Sequence, residues 1–119
     1  MSEAPSVGQV KDEIARELSR IHEDSYGVLP SGVEVALHEN FVTVLMDVGL
    51  TRGEETLVDA GAGDTVVASR EAFQTAIRAT FTAVVERATG RRVEQFASRA
   101  TIDENGAWAS EIFRLGPAA

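Results

Sequence analysis

Val10, Ile14, Leu18 and Ile21 recur at spacings of four, four and three, so the chain opens on one apolar stripe of helical period. Ser6 and Gln9 precede it at the spacing of a capping box, in which each side chain accepts a hydrogen bond from the other residue's free backbone N–H. The first helix is therefore expected to start near Val7, and Gly27, reinforced by Pro30, is its stop. Asp12, Glu13, Arg16, Glu17, Arg20 and Glu23 make the opposite, solvated face, with His22 placed on or near that polar side.

The pattern then changes to period two in VEVALHENFVTVLMDV, the signature of strands buried on one face. A two-residue loop at Glu39-Asn40 sets His38 opposite Phe41, Leu37 opposite Val42, Val35 opposite Val44 and Val33 opposite Met46, with the six aliphatic residues on one face. Next, Thr51 and Glu54 repeat the capping-box spacing ahead of a short helix that ends at Gly61. A long helix is expected from about Thr65 to Thr89, capped by Asp64 or Thr65 and closed by Gly90, with Val66, Phe73, Ile77, Phe81 and Val84 as its buried stripe. The remainder predicts a second hairpin turning at Asn105-Gly106. In it, Phe96, Ala100 and Ile102 share one face of the first strand; Ala109, Phe113 and Leu115 share one face of the second, where Glu111 also falls.

These elements predict an α+β fold: a two-layer arrangement in which an antiparallel four-stranded sheet of two hairpins carries two main helices on one face, with a short connecting helix. Its 119 residues and 44% hydrophobic content suit a single domain over 1–119, with 1–5 and 116–119 as flexible ends. A formal charge of -8 repels nucleic-acid phosphates and anionic lipid, so neither is an expected partner. The chain has no cysteine, which removes disulfides and thiolate chemistry and fits a reducing compartment. Without a secretory-type start or an apolar run of membrane-spanning length, the expected location is the cytoplasm, with no direct membrane insertion.

Candidate chemistry is sparse. DAGAGDT, residues 59–65, suggests a phosphate-cradling glycine loop, yet such loops run from a strand into a helix N-terminus. Here the preceding segment reads as helix, and Asp59 and Asp64 would stand beside the anion, so the run reads as a helix stop, a bend and a new cap. With two histidines, no paired His at helical spacing and no Asp-rich calcium loop, no metal or other cofactor is expected. No GxSxG elbow appears, and the carboxylates Glu54, Glu55, Asp59 and Asp64 read as an acidic solvated turn rather than an acid/base pair, so no catalytic residue is assigned.

Arg70 shares the face of Val66, Phe73 and Ile77, which aims a guanidinium along the edge of the core. It is expected to pair with a carboxylate such as Glu54, Glu55 or Asp59; the sharper reading is an anion or a partner's carboxylate held by Arg70, Glu54 and Asp64. Arg91, Arg92, Arg99 and Arg114 form a local basic strip without the interleaved aromatics of a nucleic-acid surface. Trp108 and Tyr26 are lone aromatics at element ends, expected to plug the core.

TRGEETLV at residues 51–58, GAGD at 61–64, REAFQ at 70–74 and TGRRV at 89–93 occur in order and at compatible spacing in a segment that, with EIFRL near the end, resembles the MpsC family of bacteria. The loop after the first helix reads YGVLPSG where the family has a GxGP-like turn. The resemblance implies a link to a sodium-translocating system that generates membrane potential, with partners similar to components of bicarbonate uptake, and implies no catalytic residue. The expected function is a non-enzymatic interaction or regulatory module, a homodimer whose outward residues Glu34, Ala36, Thr43 and Leu45 pack on a second copy, accompanying a membrane-system protein. The alternative is a small anion- or metabolite-binding sensor built on Arg70 and the helix start at Asp64 to Val66.

Overall fold

The computed structural model describes residues 5–103 and 106–118. Helix α1 (Val7–Tyr26) leads into the hairpin β1 (Gly32–Leu37) and β2 (Phe41–Val48). Three helices follow, α2 (Arg52–Asp59), α3 (Gly63–Ala76) and α4 (Arg78–Thr89), and then the hairpin β3 (Val93–Asp103) and β4 (Gly106–Leu115). All pairing is antiparallel, in the order β1-β2-β4-β3, so the last strand inserts beside β2 and the architecture is α+β.

The local chemistry works as the sequence implies at most boundaries. Ser6 and Gln9 form the capping box of α1, Thr51 and Glu54 that of α2, and Gly61 and Gly90 reach φ of +80° and +70° to close α2 and α4. The first hairpin has the expected register from Val33 opposite Met46 to Leu37 opposite Val42, and the His38 N–H donates to the Phe41 carbonyl at 2.9 Å. Of the second turn, Asn105 lies outside the described residues; Gly106 is the first residue of β4 and pairs with Asp103.

The expected single helix over 65–89 is instead two, meeting at Ile77, whose φ of -102° and ψ of 16° leave the helical range. Neither proline nor glycine stands there. Thr75, Ile77, Thr80 and Thr82 concentrate β-branched residues at the join, where helix propensity is low, and the two halves serve different neighbours: α3 packs over β3 and α2, α4 against α1 and β3. The cap also differs from expectation. Helix α3 starts one residue before Asp64, its N-cap is Ala62 with no side-chain bond, and Asp64 sits in the first turn, where its charge still complements the helix dipole.

The core lies between the helices and one face of the sheet. Ile14 and Leu18 of α1, Phe81, Val84 and Val85 of α4, and Val42, Val44, Ala109 and Phe113 of the central strands belong to one buried cluster. Phe96 bridges Phe81 and Phe113 at ring separations of 6.2 and 5.1 Å. The radius of gyration is 15.2 Å, above the roughly 13.5 Å of a compact chain this long. On the other face Phe41, Leu45 and Ile112 stand exposed, and Trp108 is half-buried there between Asp47 and Thr101, so it is an outer-face residue and not a core plug.

Candidate functional site

Arg70 rises from the middle of α3 into the space between the C-terminal end of α1, the start of α2 and the loop after β2. Only 4% exposed, it forms a bidentate pair with Glu54: Nε donates to Oε2 at 2.7 Å and a terminal nitrogen to Oε1 at 2.6 Å. That nitrogen also donates to the Gly49 carbonyl at 3.0 Å, and the Tyr26 ring lies under the guanidinium, 4.2 Å from carbon to centroid. The fork is matched to a planar carboxylate and its face to an aromatic, a combination lysine could not reproduce.

Glu54 is shared between two tasks. Its Oε1 also accepts the Thr51 N–H at 2.8 Å, while the Thr51 hydroxyl accepts the Glu54 N–H at 3.2 Å. The carboxylate that caps α2 therefore also anchors α3. Hydrogen bonding from Arg70, opposed by burial and aided by Thr51, holds the Glu54 carboxyl below its usual range.

Around this pair the end of α1 supplies two aromatic rings. Tyr26 meets Phe73 edge-on at 5.4 Å and stands 5.0 Å from the His22 ring, and burial pushes its hydroxyl pKa up. His22 is buried, contrary to its expected place on the polar side; it follows Leu18 by four residues and so lies on the apolar stripe. Its Nδ1 is 2.8 Å from the Val28 carbonyl, which can only accept, so Nδ1 carries the proton and the buried Nε2 is left a bare acceptor, without a partner among the described residues. Desolvation lowers its pKa and favours the neutral ring. The cavity between His22, Tyr26, Arg70, Phe73, Gln74 and Ala109 is about 10 Å³, space for at most one water.

Asp64 is not part of this arrangement. It is exposed in the first turn of α3, six residues before Arg70 and so on a different side of the helix, and it bonds to neither Arg70 nor Glu54. Arg91, expected in a basic strip, is likewise engaged with backbone: Nε and one terminal nitrogen donate to the Gly116 carbonyl at 2.9 and 2.5 Å, and the other donates to Glu39 at 2.6 Å. It ties the end of α4 to both hairpins and holds Gly116, the first residue of the expected flexible end. Among the described residues no group of three or more His, Cys, Asp or Glu could hold a metal ion.

A second buried polar group was only half visible in the sequence. Glu111 falls on the inward face of β4 by simple alternation, and it is fully buried there. Ser98 stands directly across the ladder, but its hydroxyl is turned to Gln74, and among the described residues neither Glu111 oxygen has a hydrogen-bond partner. Burial pushes the Glu111 carboxyl up to about 8, partly offset by Ser98.

The family described as the Na+-translocating membrane potential-generating system (MpsC) matches residues 6–114, from the N-cap of α1 to the penultimate residue of β4. The chain belongs to the MpsC family. No curated protein and no solved structure matches it. Within this MpsC chain the motif segments that carry the resemblance converge in space: TRGEETLV supplies Thr51 and Glu54, REAFQ supplies Arg70, Phe73 and Gln74, and GAGD makes the bend that brings α2 and α3 together. Chemically the cluster is a closed lock. Taking an external anion would require Arg70 to release Glu54.

Proposed function

We propose that this MpsC chain is a non-enzymatic interaction or regulatory module, a cytoplasmic homodimer that accompanies a membrane Na+-translocating or inorganic-carbon uptake system. The observation that carries the reading is the uncovered sheet face, where Phe41, Leu45 and Ile112 are 39, 46 and 46% exposed in a fold whose helices pack on the other face. Apolar residues gathered on one side of a sheet favour burial against another surface. Among the described residues no helix is long and apolar enough to cross a membrane, and the proposed link to the membrane system of the family's description is through a protein partner.

Deleting the gene in its host is expected to lower the Na+-dependent membrane potential read by a potential-sensitive dye, with recovery on re-expression. An unchanged potential would overturn the proposed association. The alternative of an anion sensor at Arg70 has less support, because Glu54 and the Gly49 carbonyl already occupy the guanidinium and the adjoining cavity is too small for a metabolite. Phosphate and bicarbonate are accordingly expected to give the wild type and Arg70→Met the same small thermal shift; stabilisation that disappears with Arg70 would restore the sensor reading.

A further inference from the structure

The open face of the sheet has an internal symmetry of size and charge that fixes how a second copy would sit on it. Its outward side chains form rows across the strands in the order β1-β2-β4-β3. One row is Glu34, Leu45, Ser110, Arg99; the next is Ala36, Thr43, Ile112, Ala97. On either side of these, Asp47 is followed by Trp108 and Phe41 by Arg114. Every row thus has a bulky residue beside a smaller or polar one on the two central strands, and the bulky residue alternates between β2 and β4. In the two central rows the edge positions are a pair of opposite charges, Glu34 and Arg99, and two alanines, Ala36 and Ala97.

We propose that two copies pack open face to open face about a two-fold axis that runs parallel to the strands, between β2 and β4. This inference rests on the homodimer reading above and adds its geometry. Rotation about that axis keeps each row over itself and exchanges β1 with β3 and β2 with β4. Leu45 then sits over the second copy's Ser110, Ile112 over Thr43, Trp108 over Asp47 and Phe41 over Arg114, whose guanidinium can lie on the ring. Large side chains meet small or polar ones, as interdigitated layers require. Ala36 meets Ala97, and Glu34 meets Arg99 at both edges.

Glu34 and Arg99 cannot satisfy each other within one chain, since three strand spacings, roughly 14 Å, separate them. Both are exposed, and neither is in an ion pair among the described residues. The competing two-fold, across the strands, returns β1 upon β1. It would gather Glu34 with its own copy at one edge and Arg99 with its own copy at the other, a like-charge arrangement that disfavours association. The charge pattern therefore selects the axis, and the apolar knobs supply the attraction.

Two measurements test the arrangement separately from the dimer itself. Sedimentation of the wild type is expected to show a concentration-dependent dimer; a chain that stays monomeric at high concentration overturns the homodimer reading and this geometry together. Glu34→Arg and Arg99→Glu should each raise the dimer Kd by about tenfold or more, and the double reversal should bring it back near the wild-type value. A dimer indifferent to all three would overturn the arrangement alone. Because the chain has no cysteine, single thiols can be placed without background. Facing sheets lie roughly 10 Å apart, beyond disulfide reach, so a short bis-maleimide is the suitable bridge. An equal mixture of Ala36→Cys and Ala97→Cys chains is expected to give covalent dimers, and either variant alone none; efficient crosslinking of Ala36→Cys by itself would point to the other axis.

Discussion

Glu111 shows at the scale of a single residue how placement overrides residue type. A buried carboxylate whose oxygens have no hydrogen-bond partner among the described residues is favoured as the neutral acid. Its folded pKa, about 8, is raised above the unfolded value, so its favourable contribution is complete below about pH 4.5 and is lost as pH rises through 8. His22 has the opposite sign: its lowered pKa costs stability only as pH falls below about 6.5. Between pH 6.5 and 8 the Glu111 effect should therefore stand alone, with stability falling by up to about 1.4 kcal/mol per pH unit in urea titrations. Glu111→Gln should flatten that slope, and Glu111→Leu should raise stability at pH 8 much more than at pH 5. A wild-type midpoint that is level across this interval would mean that solvent or a partner group reaches the carboxyl.

At the scale of elements, Glu54 couples the start of α2 to the middle of α3. Arg70→Met leaves that carboxylate poorly compensated and is expected to cost about 3 kcal/mol, while Thr51→Ala and Ser6→Ala each remove a cap worth about 1 kcal/mol. Because Thr51 and Arg70 share Glu54, their double variant should depart from additivity by about 0.5 kcal/mol or more, whereas Ser6 and Arg70 should add; equal behaviour of the two pairs would show that cap and ion pair are independent. This junction was largely legible in the sequence, where the Thr51–Glu54 spacing gave the cap and the helical phase of Arg70 aimed it at the core edge. The first hairpin was legible to the residue because strict alternation admits one register. The break at Ile77 was not, since no glycine or proline marks it and its cause is that α3 and α4 pack on different neighbours. Asp64 was misread as a cap because GAGD offers a good capping residue two positions past the N-cap, Ala62. The burial of His22 and Glu111 had a periodic signal, but a polar residue on an apolar phase is decided by what packs above it, which a single sequence does not contain.

At the scale of the molecule, the proposed dimer would draw on the face of the sheet opposite to the one that folding uses, so folding and association should be separable. The inward face is consumed by the helices: Val42, Val44 and Phe113 are at most 1% exposed, and truncating any of them would cost about 1–5 kcal/mol of folding stability. Ile112 lies between Glu111 and Phe113 in sequence yet points the other way, and in a single chain it is 46% exposed. Ile112→Lys should therefore leave the unfolding free energy of the dilute monomer within about 0.5 kcal/mol of the wild type. In the dimer the same lysine would meet the second copy's Thr43 at the centre of the interface, where two unpaired ammonium groups would be desolvated together. The dimer Kd should rise by about 100-fold or more. Thermal unfolding gives an independent reading: association stabilises by mass action, so the wild-type Tm should climb with protein concentration and that of Ile112→Lys should not. A variant that loses folding stability at low concentration would place Ile112 in the fold's own packing; one that keeps the concentration-dependent Tm would place the interface elsewhere.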